Sequence, residues 1–78
     1  MPRYYLDLYH GDGLTVDDEG QVFETRARLR HEAIRILPDV LRDEMFDGDW
    51  TRIMVKVRDE SGRPVFEASL TLDSAWSD

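Results

Sequence analysis

Two-residue alternation in the C-terminal part of the chain constrains the fold most. In the stretch WTRIMVKVRD at 50–59, the apolar residues Ile53, Val55 and Val57 lie at alternate positions, with Thr51 preceding them in the same register. A second alternating stretch, VFEASLTL at 65–72, follows the loop sequence DESGRP at 59–64. Alternation over this length predicts strands with one buried face. Together the two stretches predict an antiparallel hairpin whose buried face carries Thr51, Ile53, Val55, Val57, Phe66, Ala68, Leu70 and Leu72.

The N-terminal stretch RYYLDLY at 3–9 alternates in the same way. Its buried face is predicted to carry Tyr4, Leu6 and Leu8, and its outer face Tyr5, Asp7 and Tyr9. The sequence GDG at 11–13 then favours a turn. The stretches LTVD at 14–17 and QVF at 21–23 predict a shorter second strand, interrupted or ended by the turn sequence DDEG at 17–20.

From Thr25 the apolar period becomes helical, and Thr25 itself is a candidate N-cap. The predicted buried stripe carries Ala27, Ala33, Ile34, Leu37, Val40, Leu41 and Met45, flanked by Leu29 and Ile36. Pro38 lies inside this pattern and lacks an amide donor. It predicts either a kink or two short helices, the second with Pro38 in its first turn. The sequence FDGD at 46–49 is expected to end the helical region.

The element order is therefore ββαββ, which predicts an α+β fold. The expected architecture is a single antiparallel sheet with one helix, kinked or broken at Pro38, packed on one face. At 78 residues the chain is expected to form one domain over residues 1–78. The tail at 73–78 is polar and is expected to fray, apart from Trp76.

Several motifs give the chain a resemblance to a known family. It opens with PRYY.D at Pro2–Asp7, followed by the turn Gly11–Gly13 and by D.EG at Asp17–Gly20. A helix rich in alanine and arginine, the break at Asp47–Asp49 and a closing V.V.DE.GRPV....LT hairpin at Val55–Thr71 complete the pattern. The chain resembles a family of short, uncharacterised bacterial proteins that share a domain of unknown function.

This resemblance covers nearly the whole chain but implies no activity, because the family has no catalytic residues to carry over. Pro38 departs from the uninterrupted helix that the family's pattern implies. The hairpin-then-helix order is also similar to that of HicB-type antitoxins, which bind and inhibit an RNA-cleaving toxin. That second similarity is one of topology, and topology alone does not establish a function.

The acidic composition limits the classes of partner. Seventeen acidic residues against ten basic ones give a net charge of −7, and a chain of this charge is repelled by phosphate backbones. Nucleic acid is therefore a disfavoured partner. The sequence contains no cysteine and no apolar run of membrane-spanning length. We expect a cytoplasmic protein that does not enter the membrane.

The stretch HGDGLTVDDEG at 10–20 raises the question of a metal site or a catalytic loop. Asp12 is separated by four residues from the acids that begin at Asp17, a spacing unlike that of a calcium-binding loop. A zinc site through His10 and Asp12 lacks the further ligands that zinc requires. Turn formation is the favoured interpretation. No nucleophile-and-base arrangement is evident, so we expect no metal, no cofactor and no catalysis.

Two surfaces are candidates for interaction. The first is the sheet face away from the helix, where Tyr5, Tyr9, Met54 and Arg58 are of the residue types enriched at interfaces. The second is the basic first half of the helix with Arg26, Arg28 and Arg30, opposite an acidic second half. Two such helices packed antiparallel would match opposite charges and favour a two-fold dimer. The plainer interpretation of both surfaces is an ordinary solvated exterior.

Three hypotheses for function follow. The first is a small, non-catalytic interaction protein that forms a homodimer, or binds a small protein, through the outer sheet face or an exposed edge strand. The alternative is an antitoxin-like inhibitor, or acidic nucleic-acid mimic, that binds a cationic nuclease or toxin. The third is RNA binding through the arginine-rich half of the helix. Steep salt dependence of a 1:1 complex with a foreign protein would favour the alternative over self-association.

Overall fold

The ββαββ order is confirmed, with the second strand in two pieces. A computed structural model describes residues 2–11, 13–43 and 50–77. Three strands precede the helix: β1 at Arg3–His10, β2 at Gly13–Thr15 and β3 at Gln21–Val22. The helix α1 spans Arg26–Asp43, and the closing strands are β4 at Trp50–Arg58 and β5 at Pro64–Asp73.

The strands form one antiparallel sheet in the order β2-β1-β4-β5, and β3 also pairs with β1. At one end of β1, Leu8 lies opposite Thr15 of β2. At the other end, Tyr4 lies opposite Gln21 of β3. The segment between β2 and β3 therefore bridges the middle of β1 without ladder pairing. The predicted interruption of the second strand at DDEG is confirmed.

The β4–β5 hairpin is closed by hydrogen bonds to Asp59. The Asp59 carboxylate accepts from the backbone N–H groups of Ser61 and Arg63 and from the Ser61 hydroxyl, at 2.7–2.9 Å. These bonds lower the pKa of Asp59, with the Ser61 hydroxyl making the largest contribution. Gly62 has a φ of 88°, a conformation that glycine adopts without steric cost. The DESGRP sequence is thus the predicted hairpin loop.

The core lies between α1 and the inner face of the sheet, as the alternation predicts. Its buried members are apolar: Phe23, Leu29, Ala33, Leu37, Ile53, Val55 and Val57. Tyr4, Leu6 and Leu8 of β1 pack against this cluster, as do Phe66, Ala68 and Leu70 of β5. Leu72 lies on the same side of β5 but is 38% exposed. The assignment of strand faces is therefore correct, while burial fades at the far end of β5.

The helix begins as predicted and continues through Pro38. The Thr25 hydroxyl accepts a hydrogen bond from the backbone N–H of Arg28 at 3.1 Å, which is the N-cap arrangement. The alternative of two short helices is wrong, because one helix spans Arg26–Asp43 with Pro38 inside it. Pro38 is exposed, so water can reach the Ile34 carbonyl that its missing amide would have bonded.

The predicted stripe misplaces two helical residues. Ala27 is exposed and Ile34 is 36% exposed, whereas Leu29 is only 3% exposed. The helix packs on β4 and β5 through Leu29, Ala33 and Leu37, which follow one another at four-residue spacing. Ala33 has no exposed surface and lies in the middle of this contact. Met45 and the FDGD sequence lie outside the described residues.

Candidate interaction surface

The outer sheet face contains a charged network that joins three parts of the chain. Asp7 on β1 and Arg58 on β4 are paired through Arg58 Nε and Asp7 Oδ2 at 2.9 Å. Arg58 Nη2 also donates to the backbone carbonyl of Asp17 at 2.7 Å, and the backbone N–H of Asp17 donates to Asp7 Oδ1 at 3.0 Å. The Asp7 side chain is 14% exposed. The network therefore fixes the segment between β2 and β3 against the sheet.

The Asp17 carboxylate organises the interruption between β2 and β3. Its Oδ1 accepts from the backbone N–H groups of Glu19 and Gly20 at 3.1 and 2.9 Å. Its Oδ2 accepts from the backbone N–H of Leu6 at 3.0 Å. Leu6 lies in the middle of β1, where the edge-facing amide has no strand partner. The Asp17 carboxylate thus closes a turn and also accepts the hydrogen bond of a β1 amide that has no strand partner. This gives the DDEG segment a structural role beyond turn preference.

This hydrogen bonding predicts a pH dependence of stability. Burial alone would raise the pKa of Asp17, but the amides of Gly20, Leu6 and Glu19, together with the charge of Arg58, outweigh it and lower the pKa. The unfolded chain therefore binds this proton more tightly than the folded chain. The stabilisation by Asp17 is present above the unfolded pKa of about 3.9 and is lost as pH falls through the folded pKa. We expect Asp17→Asn to be less stable than the unsubstituted protein at pH 7, and the gap to narrow below about pH 4.

Urea denaturation between pH 7 and pH 2 measures this gap directly. Asp18→Asn is the matched control, because Asp18 is exposed and adjacent. The free energy of unfolding of Asp18→Asn should differ little from that of the unsubstituted protein at every pH. A gap for Asp17→Asn that is constant from pH 7 to pH 2 would contradict the ionised role of Asp17.

Two cations of β4 lie over tyrosine rings of β1. Arg58 Cζ is 4.6 Å from the centroid of the Tyr5 ring, and Lys56 Nζ is 5.1 Å from that of Tyr9. Both distances are within the range of cation–π attraction. Tyr5 lies directly opposite Arg58 in the sheet. Tyr5 and Arg58, both predicted as interaction residues, thus contact each other, and Arg58 also bonds Asp7 and Asp17.

Tyr9 and Met54 lie at the other end of the outer face. They are opposite one another in the β1–β4 ladder and line a shallow cleft of about 340 Å³ with Trp50 and Arg52. Trp50 is 60% exposed. This end of the face therefore combines aromatic, thioether and guanidinium groups that the charged network leaves uncovered. These residue types are enriched at protein interfaces.

The arginines of α1 do not form one basic patch. Arg26 and Arg30 line a cleft with Val65 and Phe66 on the β5 side of the helix. Arg28 lies on the other side, in a cleft formed with residues 21–24 and Glu32. Further along the helix, Arg35 Nη2 is 2.9 Å from Glu32 Oε2. The predicted Arg26, Arg28 and Arg30 cluster is thus divided between two flanks. Acids line clefts beside both, Glu24 and Glu32 with Arg28 and Asp59 and Glu60 with Arg26.

The described part of HGDGLTVDDEG connects strands: it runs from the end of β1 through β2 to the residue before β3. His10 Nε2 is 3.3 Å from the Thr15 hydroxyl, across the β1–β2 hairpin. Gly13 leaves room for the His10 ring, because a Cβ there would lie 2.9 Å from His10 Cε1. No group of three or more potential metal ligands occurs within residues 2–11, 13–43 and 50–77. Asp12 lies outside these ranges.

The comparisons with known proteins identify a family. A family model with the description "domain of unknown function (DUF6894)" matches residues 3–71. The chain belongs to the DUF6894 family. The match spans β1 to β4 and most of β5, and so includes the Asp7, Asp17 and Arg58 network. No curated protein and no solved structure matches significantly.

The DUF6894 domain has features that the strand pattern alone could not reveal. Asp7 and Asp17 were not predicted as partners, although Asp7 shares its strand face with Tyr5 and Tyr9. A sequence signal that could have identified Asp7 is its position in the centre of an alternating strand. An acid there favours a cation on the neighbouring strand. Trp50 was not predicted as an interaction residue. No helix within the described ranges is long and apolar enough to cross a membrane.

Proposed function

We propose that this DUF6894 protein is a small, non-catalytic interaction protein that self-associates as a dimer. One observation carries the proposal. Strand β5 is ten residues long and, among the described strands, pairs only with β4. A long edge strand presents unpaired backbone groups that readily pair with another strand. The unpaired edge of β5 therefore favours association with another strand.

Exposed apolar side chains support the same proposal. Among the described residues, the large apolar ones with more than a third of their surface exposed are Leu14, Val16, Val22, Ile34, Trp50, Leu72 and Trp76. A domain of 78 residues has a small core for its length. Association that covers some of these side chains would add apolar burial that one copy cannot supply.

The main charged cluster favours a structural role over a catalytic one. Asp7, Asp17 and Arg58 use their polar atoms to bond one another and the backbone. A catalytic acid or base has to reach a substrate, whereas these groups hold the β2–β3 segment on the sheet. The absence of cysteine fits a reducing compartment, and a cytoplasmic location is part of the proposal.

A second candidate function is inhibition of a cationic nuclease or toxin by an acidic surface. The observation that favours it is the pairing of cations within the fold. Arg35 and Arg42 each bond an acid three residues away, and Arg58 bonds Asp7. With a net charge of −7, this pairing leaves an excess of acids to meet a basic partner. RNA binding by Arg26, Arg28 and Arg30 is weakened as a hypothesis because these residues lie on two flanks.

Light scattering coupled to size-exclusion chromatography tests self-association. We expect a mass of twice the monomer's 9.1 kDa at micromolar concentration. We also expect the dimer to persist at about 1 M salt, where the Debye length is only about 3 Å, because backbone pairing and apolar burial are only weakly screened.

A monomer at low and high salt, up to millimolar concentration, would overturn self-association. The acidic-inhibitor hypothesis would then take its place, and its signature is a 1:1 complex with a cationic protein that weakens steeply with salt. A dimer that forms only at low salt would also contradict the proposed pairing. It would favour charge matching between helices instead.

A further inference from the structure

The backbone pairing fixes which residues face the free edge of β5. The Leu6 N–H bonds Asp17 and so points away from β4. In an antiparallel ladder, hydrogen-bonded and non-hydrogen-bonded pairs alternate. Leu6 and Val57, which lie opposite each other, therefore form a non-hydrogen-bonded pair, and the Val57 backbone bonds across to β5. The same alternation places the free backbone groups of β5 on Glu67, Ser69 and Thr71.

We infer that the β5 edge binds the β5 edge of a second copy of this chain, antiparallel and centred on Ser69. This inference rests on the proposed self-association and specifies its surface and register. Two-fold symmetry makes the same groups donors and acceptors on both copies. The N–H and C=O of Ser69 bond the partner's Ser69, and those of Glu67 bond the partner's Thr71. The two sheets become one continuous sheet.

Repulsion between acids favours the register centred on Ser69 over registers centred on nearby residues. With Ser69 at the centre, Glu67 lies opposite the partner's Thr71, so no acid faces an acid along the strand. Moving the centre to Leu70 places Glu67 opposite the partner's Asp73. Moving it to Glu67 places two copies of Glu67 opposite each other. Like charges directly opposite are destabilising.

Apolar side chains select the same register on the helix side of the sheet. Centring on Ser69 places Leu72, which is 38% exposed, opposite the partner's Phe66. It also places Ala68 opposite the partner's Leu70. Moving the centre to Ala68 leaves Leu72 opposite the partner's Pro64, at the end of the strand. The Ser69 register therefore covers the one inward-facing residue of β5 that its own helix leaves exposed.

The helix adds side-chain contact beside the paired strands. It packs over β4 and β5, and Arg30 lines a cleft with Val65 and Phe66 on the β5 side. Ile34, 36% exposed, lies one turn further along the same flank. In the dimer the two helices run antiparallel near the axis, so the basic half of each approaches the half that carries Asp39 and Asp43. This arrangement matches opposite charges, which favours two helices from different copies.

A single cysteine at the proposed axis tests the inference, because the natural sequence has none. Hydrogen-bonded antiparallel pairs have Cα atoms about 5.5 Å apart, within the roughly 4.4–6.8 Å that a disulfide spans. We expect Ser69→Cys to form a covalent dimer when oxidised with diamide, in most of the protein at micromolar concentration. Ser69 is exposed and accepts one long bond from Arg52 at 3.4 Å, so folding should be unaffected.

Thr71→Cys is the matched control on the same strand and face. Thr71 is also exposed, but in this register it lies four residues, or about 13 Å, from the partner's Thr71. That distance is beyond disulfide reach, so Thr71→Cys alone should stay non-covalent. A mixture of Glu67→Cys and Thr71→Cys should form the crossed disulfide.

The outcomes distinguish failure of this inference from failure of the proposed self-association. A monomer by light scattering would overturn both. A dimer in which Met54→Cys crosslinks and Ser69→Cys does not would overturn the inference alone and assign the interface to the outer sheet face. A dimer in which Thr71→Cys crosslinks and Ser69→Cys does not would overturn the register. Ser69→Pro, which removes an edge-facing amide without touching the β4 ladder, should weaken the dimer at least about tenfold.

Discussion

Asp17→Ala is expected to lower the free energy of unfolding by about 2–3 kcal/mol. The substitution removes the acceptor of three backbone N–H groups, those of Leu6, Glu19 and Gly20. Hydrogen bonds to a charged group contribute more than neutral ones, and a partly buried amide left without a partner carries a desolvation cost. Because a domain of this length has only modest stability, this loss is a large fraction of the total. Urea denaturation followed by circular dichroism measures it.

Asp18→Ala provides the control for Asp17→Ala. Asp18 has the same charge, is the next residue and is exposed. Its removal should change stability by less than about 0.5 kcal/mol. Equal effects of the two substitutions would mean that net charge, and not the Asp17 hydrogen bonds, sets stability here. A large effect of Asp17→Ala alone would establish DDEG as an anchor for β1.

The strands were predictable because alternation reports directly on burial. Ile53, Val55 and Val57 are the most buried residues of the sheet, and they are the alternating apolar positions of 50–59. The interruption at DDEG was predictable from turn chemistry. Its anchoring role was not, because it depends on Asp17 reaching an amide of β1 eleven residues earlier. Local sequence preferences do not contain that contact.

The rotation of the helix could not be obtained from its own periodicity. Apolar residues occupy more than one side of α1, so several stripes fit the sequence almost equally well. The sheet decides among them, since β4 and β5 accept Leu29, Ala33 and Leu37. Ile34 is left on the flank beside the β5 edge. The same difficulty affects the interaction surface: composition favours the aromatic outer face, whereas the strand order leaves β5 at an edge.

Phe23→Ala is expected to have the largest effect of any substitution considered, about 3–5 kcal/mol. Phe23 is 7% exposed and belongs to the core cluster, although it lies in the short connection between β3 and α1. Its ring is 6.2 Å from that of Tyr4, tilted by 48°, a separation typical of favourable aromatic pairs. Its backbone N–H donates to the Pro2 carbonyl at 3.4 Å. Truncation opens a cavity where the edge strand, the connection and the helix meet.

Val22→Ala separates this packing from a general effect of the connection. Val22 precedes Phe23 but is 42% exposed, so its truncation should cost less than about 1 kcal/mol. Phe23→Leu should fall between the two, because leucine refills part of the cavity. Thermal and urea denaturation of the three variants give this order. Equal stability of Phe23→Ala and Val22→Ala would place Phe23 outside the core. The expected order would instead make Phe23 the link through which β3 and α1 are held to one core.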